Sequence, residues 1–245
     1  MRIPRIYYPD ELRENSIINL TAKGLNHLKV LKLKRGNKVE IFNGKGKVAI
    51  GVIENLGRDE LLVNLNEKIT QEKAISPEIN LGVSNIRNFD KVVKDSSQMG
   101  VTSLTSLMTS RTKERKLKEE KVKRWNSISS SSCEQSGLNW IPKITQMKLE
   151  KWAENSNNES RYFLNPRSKL FIGDIEEFSA IDLVIGPEGG FSSEEESFLI
   201  QKNFIGINCG DLIIKTESMP IVVLSMLKVL ACLLYTSPSP RDAHK

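Results

Sequence analysis

Histidine is nearly absent from this 245-residue chain: only His27 and His244 occur, too few to build a histidine-based metal centre or a catalytic triad. Cysteine is scarce as well. Cys133, Cys209 and Cys232 are far apart, odd in number and not arranged as C-x-x-C pairs, which excludes a disulfide framework or a zinc site and fits a reducing cytoplasm. Long hydrophobic runs are also missing. The longest, Ile221 to Leu234, contains Lys228 and falls short of the roughly 20 residues of a membrane span, so it reads as a buried helix. Arg2 and Arg5 stand near the start with no apolar segment behind them, so no signal peptide is expected. No metal and no membrane partner is therefore expected.

What is present is ordinary for a globular protein in amount, with 39% hydrophobic and 27% charged residues, and unusual in distribution. Residues 1–47 hold eleven Lys and Arg against four Asp and Glu, and residues 111–124 hold eight against three. Since the whole chain is only +6, everything outside those two stretches is net negative. Concentrated positive charge favours a polyanionic partner, and the two clusters together point to RNA.

From Ile17 to Leu65, short apolar runs alternate with turn residues such as Arg35-Gly36-Asn37 and Asn43-Gly44-Lys45-Gly46, the pattern of a small antiparallel barrel. His27 is read as a base-contacting side chain or as a structural histidine on a short helix, 22–31. After a polar linker, the pattern changes to strand and helix in alternation. A strand is expected at 78–84, a helix at 89–99 stopped by Gly100, a strand at 102–108 and a basic helix near 113–134. Strands at 162–164, 181–185 and 204–209 and a last helix near Pro220 follow, so a parallel α/β domain is expected. On the basic helix Leu117, Val122, Trp125 and Ile128 form an apolar stripe, which makes Trp125 a core residue rather than a stacking platform.

Two of these strands end in glycine loops. The strand 181–185 breaks into Gly186-Pro187-Glu188-Gly189-Gly190, after which Ser192 or Ser193 with Glu195 or Glu196 forms a capping box. Near 204–209 the chain turns at Gly210-Asp211 and reaches Lys215-Thr216-Glu217-Ser218. Loops of this kind leave main-chain N–H and C=O groups beside a surface free of side chains, which suits a flat ligand with polar edges such as adenosine; tight turning alone is the other reading. The spacing matches neither the dinucleotide fingerprint nor the phosphate loop.

The blocks Gly186-Pro187-Glu188-Gly189-Gly190-Phe191-Ser192 and Lys215-Thr216-Glu217-Ser218 resemble the signature of the RsmE family, which are 16S ribosomal RNA uridine N3-methyltransferases of the knotted SPOUT class. Met1 to Tyr7, Asn26-His27-Leu28, Val30 to Leu33 and Cys133-Glu134-Gln135-Ser136-Gly137 resemble further family blocks, in the right order over residues 1–231. The resemblance implies an α/β protein with an N-terminal small antiparallel PUA-like β-barrel, residues 1–70, and a linker, 71–77. It implies a parallel-sheet SPOUT domain with a C-terminal trefoil knot over 78–234, an exception to the rule that chains do not thread themselves. Residues 235–245 differ in character and read as a disordered or foreign tail.

The implied reaction is methyl transfer from S-adenosyl-L-methionine to uracil N3 of 16S rRNA in the small ribosomal subunit, by a homodimer. Carried over position by position, the cofactor pocket comprises Leu164, Asn165, Pro166, Gly186, Pro187, Glu188, Gly189, Gly190, Cys209, Gly210, Ile213, Ile214 and Thr216. Arg87, Lys94, Lys215 and Glu217 are the implied catalytic residues, with surface ion pairing as their other reading. Arg2, Arg5, His27, Lys32, Lys34, Arg35 and Arg111 are the implied RNA contacts. The chain departs from the family pattern at Asn165, where His is usual, at Asp211, where Pro is usual, at Lys215, where Arg is usual, and at Gln98, where Glu is usual. Two alternatives follow from those departures: a non-catalytic RNA-binding relative, or a knotted methyltransferase acting on tRNA or large-subunit rRNA.

Overall fold

The computed structural model describes residues 3–21, 33–57, 60–112, 118–176 and 178–236. The chain divides into two units, residues 1–74 with 129–141, and residues 75–128 with 142–245.

The first unit contains β1 (Arg5–Tyr7), β2 (Ser16–Thr21), β3 (Lys38–Phe42), β4 (Lys47–Leu56), β5 (Glu60–Leu65) and β6 (Thr70–Gln71). They form one sheet in the order β1-β3-β4-β5-β2, with β6 on β4. Period-two alternation sends Val39, Ile41, Ile53, Leu61, Val63 and Leu65 to one face, where they are fully buried with Ile6 and Leu12. The pairings are antiparallel as expected, except that β1 runs parallel to β3. About 30 residues separate those two strands, enough for a crossover connection and too many for a hairpin. The turn 43–46 works through Asn43, whose Oδ1 accepts from the N–H of Lys45 (2.9 Å) and Lys47 (3.1 Å). Gly46 is required there twice over: its φ is +85°, and a Cβ would lie 2.5 Å from the Trp140 ring. The expected helix at 22–31 lies outside the described residues.

Residues 129–141 explain the motif around Cys133 without catalysis. Gly137 (φ +86°) ends the helix in the left-handed conformation, its N–H reaching the Cys133 carbonyl at 3.0 Å. Glu134 accepts from the Tyr7 main-chain N–H at 2.8 Å. Cys133 is completely buried, and burial pushes its thiol up to about 12, so it is neutral and inert.

The second unit contains β7 (Glu78–Ser84), α1 (Phe89–Gln98), β8 (Ser103–Met108), α2 (Glu119–Ser136), β9 (Lys143–Lys148), α3 (Leu149–Glu154), β10 (Ser160–Leu164), β11 (Ala180–Ile185), α4 (Ser193–Gln201), β12 (Ile205–Ile207) and α5 (Met219–Thr236). Residues 129–136 of α2 belong to the first unit. The six strands form one parallel sheet in the order β12-β10-β11-β7-β8-β9. β9 and α3 were not expected: Lys143–Lys148 carries Lys, Thr and Gln and lacks an apolar run. As an edge strand it needs no such run, because one side of it meets solvent.

One face of the sheet packs Ile79, Leu81, Val83, Ile181, Leu183 and Ile185 against Val92 and Val93 of α1 and Val223, Leu224 and Leu227 of α5. Trp125 completes this core, fully buried, 4.6 Å from the Phe89 ring and donating its N–H to Asp90 at 3.0 Å. The other face packs Leu107, Phe163 and Val184 under Trp152 of α3 and Leu199 of α4. Among the described residues no helix is long and apolar enough to cross a membrane.

Candidate active site

Parallel strands emit their following loops at one edge, so the C-terminal ends of β10, β11 and β12 bring 164–171, 185–192 and 207–218 together. Local sequence fixes each loop. Pro187 to Gly190 closes a turn through the Gly190 N–H to the Pro187 carbonyl at 2.8 Å, and Gly190 has a φ of +71°. Ser192 then caps α4 by accepting from the Glu195 N–H (3.2 Å), while Glu195 accepts from the Ser192 N–H (2.9 Å), so of the two expected registers the Ser192 box forms. Glu195 is buried and also accepts from the Ser110 N–H at 2.7 Å. Arg111 donates to the Gly189 carbonyl and, at 3.4 Å, to that of Gly190.

The three loops are stitched to each other. Asn165 donates its N–H to the Ile207 carbonyl (2.8 Å), and its side-chain oxygen accepts from the Arg167 N–H (3.0 Å). The amide of Asn208 donates to the carbonyls of Ser168 (2.8 Å) and Leu170 (3.1 Å) and accepts from the Gly210 N–H (3.0 Å). Buried Thr216 donates its hydroxyl to the Gly186 carbonyl at 3.2 Å. Between the loops lies a cavity of about 140 Å³. Every residue expected in the cofactor pocket lines it except Gly189, which sits on the outer side against Arg111.

Ile185, Ile207, Asn208, Leu212 and Met219 also line the cavity and were not anticipated. Asn208 carries a legible signal, since Asn two residues before Gly is turn chemistry; the apolar four do not differ in sequence from any core residue. Leu212 and Ile213 are 84% and 95% exposed although they wall the cavity, so its apolar side is open in a single chain. Cys209 is a neutral thiol, pushed up to about 11 by burial.

A second recess of about 340 Å³ adjoins the first through Glu188, and it contains Ile86, Arg87, Asn88 and Glu217. Arg87 and Glu217 are thus brought together, 130 residues apart in sequence. Lys94 is exposed on α1 and Lys215 is exposed on its loop; neither lines this recess. Among the expected RNA contacts, Lys34 and Arg35 are exposed on the turn before β3. Arg5 is committed elsewhere: it pairs with Glu40, donates to Asn139 Oδ1 (2.6 Å) and the Leu138 carbonyl (3.1 Å), and stacks 4.8 Å from the Phe42 ring. Arg2, His27 and Lys32 lie outside the described residues, as do Lys113, Arg115 and Lys116 of the basic stretch. No cluster of three or more potential metal ligands occurs among the described residues.

The lining of the cavity suits a flat, polar-edged group such as a nucleobase on its own chemistry. Gly190 and Gly210 have open space where a Cβ would stand, both at positive φ, and Leu164, Ile207 and Ile214 offer apolar contact beside main-chain polar edges.

Comparison with known proteins agrees with this geometry. Residues 71–228 match the family model described as an RNA methyltransferase domain, and residues 20–66 match an RNA methyltransferase PUA domain. The chain is 30% identical over 238 residues to ribosomal RNA small subunit methyltransferase E of Buchnera aphidicola, covering 94% of each chain. To the protein of the same name from Rickettsia conorii it is 28% identical over 242 residues, covering 94% of this chain and 97% of that one. Among solved structures, a methyltransferase from Legionella pneumophila in complex with bound SAM aligns with a TM-score of 0.84 at 28% identity, covering 94% of this chain and 98% of that one. The ribosomal RNA small subunit methyltransferase E of Neisseria gonorrhoeae, bound to S-adenosyl methionine, aligns with a TM-score of 0.85 at 26% identity and the same coverage.

Proposed function

Because this chain belongs to the RNA methyltransferase family, we propose that it transfers a methyl group from S-adenosyl-L-methionine to small-subunit ribosomal RNA, at N3 of a uracil. The observation that carries the reading is the single cavity into which the ends of β10, β11 and β12 open, at the place where the family's glycine and Thr-Glu blocks fall. When bound, the cofactor supplies an electrophilic methyl group. The chain's own contribution is alignment: Asn208 and Thr216 tie the three loops to each other, so the cofactor meets a wall braced by hydrogen bonds.

Arg87 and Glu217 handle the uracil. A cation at Arg87 stabilises the charge that spreads onto the carbonyl oxygens as N3 loses its proton, and Glu217 or Glu188 in the same recess accepts that proton. Lys215, exposed and adjacent in sequence to the cavity-lining Thr216, steers phosphate, and so do Lys34 and Arg35 on the first unit. Arg5 and Arg111 hold the structure, the first within its sheet and the second on the glycine loop. The departure at Asn165 is compatible with activity, since its side chain closes its own turn and contributes shape.

Residues 1–70 are read as the RNA-binding part and 78–234 as the catalytic part, threaded as a knot. The protein acts as a homodimer in the cytoplasm, where ribosomal subunits are assembled. Exposed Leu212, Ile213, Ile221, Val229 and Leu233 support the dimer, because a second copy would cover apolar surface that otherwise meets water. Light scattering should give twice the 27.7 kDa chain mass, and a monomer that still binds cofactor would overturn the dimer alone.

The test of the reaction is transfer of labelled methyl to small-subunit particles from a strain lacking the endogenous activity, followed by mass spectrometric mapping. A methylated uridine in small-subunit RNA is expected. Label in tRNA or large-subunit RNA would move the substrate. No heat with S-adenosyl-L-methionine up to about 1 mM, together with salt-dependent RNA binding, would leave an RNA-binding protein without chemistry.

A further inference from the structure

The cofactor cavity occupies one end of the parallel sheet; the other end of the same strands carries a recess of different chemistry. Register places Asp182 beside Asn80, Asn80 beside Ser103 and Ser103 beside Lys143, so four adjacent strands present one transverse polar row. The next row toward the cofactor end contains Val184, Gly82, Thr105 and Thr145, and from there the face becomes the apolar core under α3 and α4. The loop after α3, 155–158, walls the row, and the recess measures about 370 Å³.

Most of this row accounts for itself. Ser103 donates to Asn80 Oδ1 (2.6 Å), Asn80 donates to Glu78 (3.1 Å) and to Asp182 Oδ1 (3.1 Å), and Thr105 and Thr145 bond to each other (3.0 Å). Asp182 does not account for itself. It is only 2% exposed, it sits in a strand whose neighbours are all apolar, and its Oδ1 already accepts from Asn80 and Asn158 (2.8 Å). Its Oδ2 has no partner, although the residue lines the recess. A carboxylate taken out of water with half its acceptor capacity unused is costly, and valine at 182 would simply extend the core. The cation within the recess, Lys143, lies three strands away, roughly 14 Å at the usual strand spacing.

We propose that this recess binds a small organic cation of the ammonium or guanidinium class, one N–H of which completes Asp182 Oδ2. The acceptor set fits such a ligand. Asp182 lies on the floor and Glu78 at the rim, both attractive to positive charge, with hydroxyl and amide oxygens of Thr105, Ser156 and Asn157 around them for the remaining N–H groups. An anion would meet two carboxylates. A metal ion would find one buried carboxylate among neutral amides, and the described residues hold no metal-ligand cluster here. The site is separate from the cofactor cavity: Asp182 precedes Gly186 by four strand residues, roughly 13 Å along β11. It therefore stands or falls independently of the proposed reaction.

The experiment titrates the full chain with 1,4-diaminobutane and with guanidinium chloride at chloride-matched ionic strength, following the fluorescence of Trp152, which lines the recess. A saturable response is expected, with potassium chloride giving none. Asp182→Asn should weaken it about tenfold or more, the loss of one charge-assisted hydrogen bond, while the heat of S-adenosyl-L-methionine binding stays unchanged. A second variant does not disturb the interior: exposed Lys143→Glu removes a repelling charge from the far end and should tighten binding up to about fivefold. A response equal to that of potassium chloride, equal affinity in Asp182→Asn, or weaker binding in Lys143→Glu would each overturn the proposal and leave Asp182 holding water.

Discussion

At the C-terminal ends of β10, β11 and β12 the cavity wall is main chain and apolar side chain; at the N-terminal ends of β11, β7, β8 and β9 the recess wall is carboxylate, amide and hydroxyl. Both rest on one sheet, yet they are built by opposite means. Loops leaving the strands must satisfy their own main-chain groups, so they close by turns and shape a hollow from backbone. Residues inside strands already have their main chain paired in the sheet, so any pocket there must be built from side chains, and strand register decides which ones meet. One end thus selects by shape, the other by charge and hydrogen bonding.

The largest expected effect should remove both ends together. Trp125→Ala empties a fully buried site behind the sheet and should cost about 3–5 kcal/mol, read as a lower denaturant midpoint with cofactor and cation binding lost in parallel. A change confined to the loop end should separate them. Gly210→Val puts a β-branched residue at a φ of +103°, a strain of about 1–3 kcal/mol at the cavity wall. Cofactor affinity should fall by about ten- to a hundredfold with the diamine response unchanged. Loss of both responses would mean that the two ends are coupled.

Thr216→Val sharpens the contrast further. It deletes the hydroxyl that ties the last loop to the Gly186 carbonyl, worth about 1 kcal/mol, so calorimetry should record about fivefold weaker cofactor binding. The smallest effect is chemical. Cys209 lines the cavity with its thiol held up to about 11 by burial, so alkylation should be slow at neutral pH, rise only as pH approaches 11, and be slowed again by bound cofactor. The same raised value gives a sign for stability. An unfolded chain loses this proton near the ordinary thiol range while the folded chain keeps it, so the contribution is present below about pH 9 and is lost as pH rises toward 11. Melting temperature against pH, with and without Cys209→Ala, measures that loss.

Much of this was legible from residues alone because it depends on neighbours in sequence. The Ser192–Glu195 box, the turn at Gly190, the stop at Gly100 and the apolar face of α1 are set within a few residues and form as read. β9 and α3 escaped notice because an edge strand of Lys, Thr and Gln has no apolar signature. The parallel run of β1 against β3 escaped because strand direction is a property of pairing, which short apolar runs do not encode. Arg5 shows the same limit at a single residue: its partners Glu40 and Asn139 lie 35 and 134 positions away, and nothing in the basic stretch around it reveals them.

By itself the sequence determined the α/β class of the second unit, most of its strands and helices, and the glycine turns at the ends of β11 and β12, since periodicity and turn chemistry act over short distances. Tertiary structure alone decided that Arg87 and Glu217 share a recess and that Asp182, Asn80, Ser103 and Lys143 form one row. Those groupings join residues up to 130 positions apart, and they exist only once hydrogen bonding between strands has fixed which residue lies beside which.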